Sequence, residues 1–370
     1  MSGHKASLYI HFPFCASLCD YCDFFSVAEN NSERFESFLN AVISDIEYQL
    51  DFFKIDEIPC AYIGGGTPSV LGKKIGILLD ALKKNPSFKP VEFTVEANPE
   101  SASEEFFSIC RENGVNRLSL GVQTFNEKSR AAVKRTGDVS LLEKKLSLAS
   151  RFFSDSLNVD LITGLPYQSE EVITDDLKRI ANFNPSHISL YSFTVEKGTE
   201  LYKRRKKINL PDDDKKDSLW LTARDILEDK GFKQYEVSNF AKEGKECLHN
   251  IRYWRMEGWL GAGPAASGTI INDTGSAQRY TYFTDINAYI KKPLIHTAHY
   301  EELDREALIK ESLLMGFRFA KGPDEEIFKK RFGCSIADCI PETLLRWKEK
   351  NKMLFLNGFL SEAFLELEKS

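Results

Sequence analysis

The chain is 370 residues long, with 42% hydrophobic and 28% charged residues: enough apolar material for two or three domain cores, and too much for a disordered tail. Lys and Arg number 49 against 55 Asp and Glu, and the net charge of −6 excludes the basic surplus of a general nucleic-acid binder. No run approaches the roughly 20 apolar residues of a membrane-spanning helix. Patterned sequence begins within a few residues of Met1 and leaves no room for a secretory signal, so a cytoplasmic protein is expected.

Residues 8–12 read as a strand, followed after a cysteine-rich loop by an amphipathic helix near 33–53. A second strand at 60–63 runs into Gly64-Gly65-Gly66-Thr67-Pro68, and a helix is predicted over 73–84. A third strand at 91–96 precedes a helix at 104–113, closed by Gly114 as C-cap. Strands at 117–121, 159–162 and 187–191 follow, separated by helical patterns. Six β-then-α units imply parallel strands with right-handed crossovers, an α/β partial (β/α)6 barrel whose functional groups sit at the strands' carboxyl ends.

The charged run Lys203-Arg204-Arg205-Lys206-Lys207 and Pro211-Asp212-Asp213-Asp214 then connect to a helix near 216–230. Acidic residues follow the basic run at once, so it reads as a solvated face rather than a phosphate patch. The expected organisation is a barrel core over 1–235, a mixed middle segment over 236–300 containing the small-residue stretch 261–268, and a small helical domain over 301–370.

Eight cysteines suggest a disulfide framework at first, but Cys15, Cys19 and Cys22 crowd into eight residues while Cys60, Cys110, Cys247, Cys334 and Cys339 are scattered. In a large chain from a reducing compartment, a tight cluster is more often a metal site. Three thiolates in Cys15-x3-Cys19-x2-Cys22 suit three irons of a [4Fe–4S] cube and leave the fourth iron open to an exogenous ligand. Structural zinc with a fourth ligand such as His11, or plain buried thiols, are the alternatives that spacing leaves open.

The CxxxCxxC loop after a first strand, with the aromatic Tyr21 before the third cysteine, resembles the radical S-adenosylmethionine (SAM) superfamily. So does the glycine-rich loop ending the second strand. That resemblance implies a [4Fe–4S] cluster on Cys15, Cys19 and Cys22. It further implies SAM held by Tyr9, Tyr21, Gly65, Gly66, Thr67, Glu96, Gln123, Arg135 (placed in the helix after strand four) and Asp160. Glycines let backbone approach a ligand, and Thr67 offers a hydroxyl. Glu96 and Asp160 suit SAM's cation and hydroxyls, Arg135 its carboxylate, and Gln123 either.

Within the superfamily, Tyr9-Ile10-His11-Phe12-Pro13-Phe14-Cys15, Glu96-Ala97-Asn98-Pro99, Gly121-Val122-Gln123 and Gly164-Leu165-Pro166 resemble the oxygen-independent coproporphyrinogen III oxidase group along essentially the whole chain. That group joins a decarboxylase, in which the reduced cluster cleaves SAM to a radical that abstracts hydrogen from a propionate, and haem chaperones. The decarboxylase carries a fourth cysteine two residues after the third, where this chain has Phe24, and a long extension before the first strand. The chaperone branch shows HNxxYW, here His249-Asn250-Ile251-Arg252-Tyr253-Trp254.

The resemblance therefore implies haem as cargo, with His249 as axial ligand, Cys247 as a competing one, and Tyr253 and Trp254 packing on the porphyrin. It implies haem-accepting apoproteins as partners, membrane respiratory proteins among them, a homodimer, and a cytoplasmic location reaching the membrane periphery. No nucleic-acid partner is expected, and radical-SAM modification of RNA is the weakest alternative. His11 is expected to orient the cluster loop. His4, His187, His296, His299, Cys334 and Cys339 are read as structural.

Overall fold

Residues 7–12 alternate strictly: Leu8, Ile10 and Phe12 are fully buried on one face while Tyr9 and His11 occupy the other. A computed structural model describes residues 4–272, 275–292, 298–348 and 353–368, and His296 lies outside them. This first strand, β1 (Ser7–Phe12), is followed by β2 (Ile55–Gly65), β3 (Phe88–Ala97), β4 (Arg117–Gln123), β5 (Leu157–Thr163) and β6 (His187–Ser192). All six pair in parallel in chain order.

The helices between them pack outside: α1 (Ser32–Phe52), α2 (Ile75–Lys84), α3 (Glu104–Glu112), α4 (Glu127–Ala132), α5 (Val139–Phe152) and α6 (Glu170–Ala181). Their starts follow from capping side chains; Asn31, Ser103, Asn126, Asp138 and Ser169 each accept from a backbone N–H of the first turn. The helix expected at 73–84 is two elements, a 3-10 turn over Pro68–Lys74 and then α2, because Gly72 leaves the helical region. Beyond β6 come α7 (Glu200–Arg204) and α8 (Asp213–Asp229), and two short antiparallel strands, β7 (Lys233–Gln234) and β8 (Asn239–Ala241), finish that edge of the sheet.

The middle of the chain returns to the other edge. After α9 (Leu248–Trp254), the strand β9 (Trp259–Ala262) pairs in parallel with β1, a strand that the pattern reading does not contain. Antiparallel β10 (Ser267–Ile271), β11 (Ala277–Thr281) and β12 (His299–Leu303) continue the sheet outward. Helices α10 (Ile286–Lys291), α11 (Arg305–Gly316), α12 (Glu325–Phe332), α13 (Ile336–Cys339), α14 (Pro341–Arg346) and α15 (Leu356–Leu367) complete the described chain. The last five surround a second core of Leu308, Leu313, Phe328, Ile340 and Phe359, which also takes in Met256 and Leu303.

Helix α1 ties the barrel to the returning middle segment. Its buried face carries Phe35, Phe38, Val42 and Ile46, but also Asp45 and Gln49, which no apolar stripe predicts. Tyr282 and Tyr289 donate to the two Asp45 oxygens at 2.5 and 2.6 Å, and Gln49 Nε2 donates to the Gly261 carbonyl at 3.0 Å. Burial pushes the Asp45 carboxyl up to about 6 despite these donors.

Because the folded value lies above the unfolded one, the native state holds this proton between about pH 4 and 6, and the stability it confers is lost as pH rises through that window. Asp45→Asn removes the titration. Relative to wild type, the variant is expected to gain up to about 3 kcal/mol between pH 4 and 7 in denaturant unfolding followed by circular dichroism. A constant difference across that range would refute the assignment.

Candidate functional site

The chain leaves β1 through Pro13 into the cysteine loop, which Phe14–Cys15 closes by pairing with Val27–Ala28. His11 holds this loop from below, its Nε2 meeting the Phe25 carbonyl at 2.8 Å and its Nδ1 the Tyr9 hydroxyl at 3.1 Å. Asp20, almost fully buried, pins the loop from the side through ion pairs with Lys134, at 3.0 Å, and with Arg204. Arg204 therefore departs from the solvated face expected of its basic run. All eight cysteines are free thiols in the structure. Burial raises Cys15 and pushes Cys22 up to about 11, so ligation of a metal at these sulfurs releases protons.

Cys15, Cys19 and Cys22 line one cavity of about 270 Å³ at the carboxyl end of the barrel. Tyr21, Gly65, Gly66, Thr67, Glu96, Gln123, Arg135 and Asp160 line it too, so the residues expected around SAM converge there, with one exception. Tyr9 does not line it. It precedes His11 by two strand positions and so lies roughly 6–7 Å deeper, beneath the histidine.

The glycine loop lines the cavity and also packs against the cysteine loop. A Cβ on Gly66 would meet the Phe14 and Phe12 carbonyls at 2.6 and 2.9 Å, and Gly65, at φ +104°, would drive one into the His11 ring at 2.5 Å. These glycines let β2 dock against the cysteine loop itself. Thr67 donates its hydroxyl to Cys15 Sγ at 3.3 Å and accepts from Asn98 Nδ2 at 2.8 Å, so the hydroxyl is committed to the sulfur. Arg135 sits in the turn between α4 and α5 rather than in a helix. It donates to the Gly121 carbonyl at 2.6 Å, to Asn98 Oδ1 at 2.8 Å and to Cys19 Sγ at 3.6 Å. Asn98, quoted above within a motif but given no role, joins these groups.

Glu96 and Asp160 face the cavity from β3 and β5. Tyr62 and the Gly65 N–H donate to Glu96 at 2.8 and 3.2 Å; Ser119 and Asn158 donate to Asp160 at 3.0 and 2.7 Å. Burial, reinforced by the Asp160 charge, pushes Glu96 up to about 7, and burial raises Asp160 as well. Two half-buried acids facing one cavity favour a cationic occupant, and the buried Gln123 Oε1 has no hydrogen-bond partner among the described residues. Three thiols, two acids and an unsatisfied amide in one cavity fit an iron–sulfur cluster carrying a sulfonium amino acid. Tyr191, at the end of β6, also lines it and was missed; its position at a strand's carboxyl end was the available signal.

HNxxYW closes the opposite end of the barrel. Glu92, early in β3, accepts from the backbone N–H groups of Leu248 and His249 at 3.0 and 2.9 Å and from Cys247 Sγ at 3.3 Å. His249 is 1% exposed, with Nε2 at 3.1 Å from the Tyr253 hydroxyl and its ring 5.2 Å from that of Tyr62. Burial pushes it down to about 3, so it is neutral. The adjoining interior cavity is about 100 Å³, less than half the volume of the one at the mouth. Nor are the flanking aromatics free for a porphyrin. Tyr253 packs edge-on against His249 and Trp259, and Trp254 packs with Tyr235 and Phe319 beneath Arg318. His187 is structural as expected, held by Asn158 and Tyr235.

The Radical SAM superfamily profile matches residues 9–180. The haem chaperone HemW of Buchnera aphidicola (from Acyrthosiphon pisum) is 34% identical over 328 residues, 88% of this chain and 85% of that protein. HemW of Escherichia coli K12 is 36% identical over 277 residues, 74% and 73% of the two chains. The solved structure of the E. coli radical SAM enzyme coproporphyrinogen III oxidase (HemN) superposes with a TM-score of 0.79 at 24% identity, covering 93% of this chain and 82% of that one, a likeness of fold.

The Glu96 geometry makes ligand binding pH-dependent. A cationic ligand binds the ionised acid, so SAM affinity is expected to rise about five- to tenfold from pH 6.0 to 7.5 as Glu96, near 7, loses its proton. Glu96→Gln should bind more weakly at pH 7.5 and show a flat profile. Equilibrium dialysis on anaerobically reconstituted protein checks this, and the same slope in the variant would remove Glu96 from the site.

Proposed function

Since the chain belongs to the HemW family of the radical SAM superfamily, we propose that it is a haem chaperone, binding haem and passing it to haem proteins. In this reading Cys15, Cys19 and Cys22 ligate a [4Fe–4S] cluster, and SAM lies between the cysteine loop and the acids Glu96 and Asp160. The kinship to HemW proteins over nearly nine-tenths of the chain carries the proposal. A reduced cluster of this kind supplies an electron to SAM. The chain's own residues hold the sulfurs, orient the ligand through Gln123 and Asn98, and neutralise its cation.

Decarboxylation of coproporphyrinogen III is supported less well. Phe24, 65% exposed at the cavity mouth, stands where the decarboxylase has its fourth cysteine. The acidic balance gives RNA modification no footing. No helix among the described residues is long and apolar enough to cross a membrane. We place delivery to membrane respiratory proteins at the membrane periphery and the protein in the cytoplasm as a homodimer, in keeping with the chaperone reading.

We further propose His249 as the axial ligand, with Cys247 competing, in a state where α9 has left the barrel floor. In the closed state neither ring nitrogen is open to a porphyrin. The seven-residue α9 is held at its amino end by two side chains, Glu92 and Tyr235, whose hydroxyl accepts from Cys247 N at 3.2 Å, and the buried His249 Nδ1 lacks a partner among the described residues.

Haem titration followed in the Soret region tests the function, beside anaerobic incubation with coproporphyrinogen III, SAM and reductant. Wild type is expected to bind haem without decarboxylating the porphyrinogen; the opposite pair of results would put the enzyme reading first. His249→Ala should shift or abolish the Soret band with iron content unchanged, and Glu92→Gln should speed haem uptake several-fold by loosening α9. An unaltered spectrum in His249→Ala would remove the histidine.

A further inference from the structure

Five cysteines lie away from the cluster loop. Cys60, Cys110 and Cys247 are buried and out of solvent's reach, whereas Cys334 and Cys339 are both partly exposed. These two come together: Cys334 Sγ and Cys339 Sγ are 3.6 Å apart. The juxtaposition follows from local chemistry. Gly333, in the left-handed conformation, ends α12, and Ser335 then opens α13 with a capping box, its hydroxyl accepting from Asp338 N at 3.1 Å while Asp338 accepts from Ser335 N at 2.8 Å. That turn folds the segment so that the residue before the cap faces the last residue of α13.

We propose that Cys334 and Cys339 are a modification site, forming a reversible intramolecular disulfide on exposure to a low-molecular-weight disulfide of the glutathione class. The sulfurs need to close by roughly 1.5 Å to reach bonding distance. A cleft of about 570 Å³, lined by Arg305, Ile309, Lys310, Asp338 and Glu368, opens onto both and admits a small disulfide.

Arg305 orders the exchange. Its Nη2 donates to Cys334 Sγ at 3.7 Å and to the Phe332 carbonyl at 2.6 Å, placing a positive charge beside the sulfur that carries negative charge as it attacks. Cys334 thiolate attacks one sulfur of the oxidant, forming a mixed disulfide and expelling one small thiolate. Cys339, which burial pushes up to about 12, keeps its proton until this second step. It then loses that proton to solvent and attacks the Cys334 sulfur, forming the internal bond and expelling the second small thiolate. Two protein thiols are oxidised, and one small disulfide is reduced to two thiols. The new bond joins the end of α12 to the end of α13 across the cleft floor.

The tryptic fragment 332–346 contains both residues and no other cysteine, so the test runs on the intact, anaerobically reconstituted protein. After incubation with excess oxidised glutathione, alkylation of free thiols, digestion and mass spectrometry, the wild-type fragment is expected to be unalkylated and lighter by two hydrogens, reverting with dithiothreitol. Cys339→Ser should stop at a glutathione adduct on Cys334, and Cys334→Ser should leave Cys339 open to alkylation. A wild-type fragment alkylated at both positions, or one held as a stable glutathione adduct, would overturn the internal bond. An adduct on Cys339 in Cys334→Ser, with none on Cys334 in Cys339→Ser, would overturn the order of attack.

Discussion

A short chain of hydrogen bonds at the barrel's mouth holds four separate segments in one geometry. Arg135 donates to Asn98, Asn98 to Thr67, and Thr67 to Cys15, while a second Arg135 nitrogen reaches Cys19. The segments are the cysteine loop after β1, the ends of β2 and β3, and the turn after α4, and only parallel pairing in chain order brings these ends to the same side. Sulfur is a weak acceptor, so each contact contributes little alone. Their effect is to fix two of the three sulfurs relative to the acids on β3 and β5, and the site depends on that positioning.

The floor of the barrel is joined to its mouth through side chains in contact. His249 packs on Tyr62, and the Tyr62 hydroxyl donates to Glu96, which faces the cavity. Releasing α9 from Glu92 would free one face of Tyr62 and loosen the donor that keeps Glu96 ionisable.

Much of this was legible in the sequence where local chemistry decides the outcome. The alternation of β1, the caps Asn31 and Ser103, and the cysteine spacing each follow from neighbours within a few positions. Glu96 and Gln123 could be placed because they lie at strand ends, and parallel strands put those ends together, whereas Asp160 sits in the middle of β5 and was placed by resemblance. β9 escaped detection because Trp259-Leu260-Gly261-Ala262 is too short and too poor in β-branched residues to read as a buried strand. Depth was equally invisible: Tyr9 shares a face of β1 with His11, and the pattern does not show that it lies beneath that ring. The burial of His249 was invisible because the sequence does not show that Glu92, 157 residues away, draws its backbone into the interior. The pairing of Cys334 with Cys339 needed the turn made by Gly333 and Ser335, which spacing alone does not reveal.

In the proposed function three cysteines and a SAM pocket act as one site, and electron paramagnetic resonance of dithionite-reduced, anaerobically reconstituted protein tests that most directly. The expected result is about four irons per chain, with a [4Fe–4S] signal that changes on adding SAM, and loss of the cluster in Cys19→Ala. A signal indifferent to SAM, or full iron content in Cys19→Ala, would contradict it.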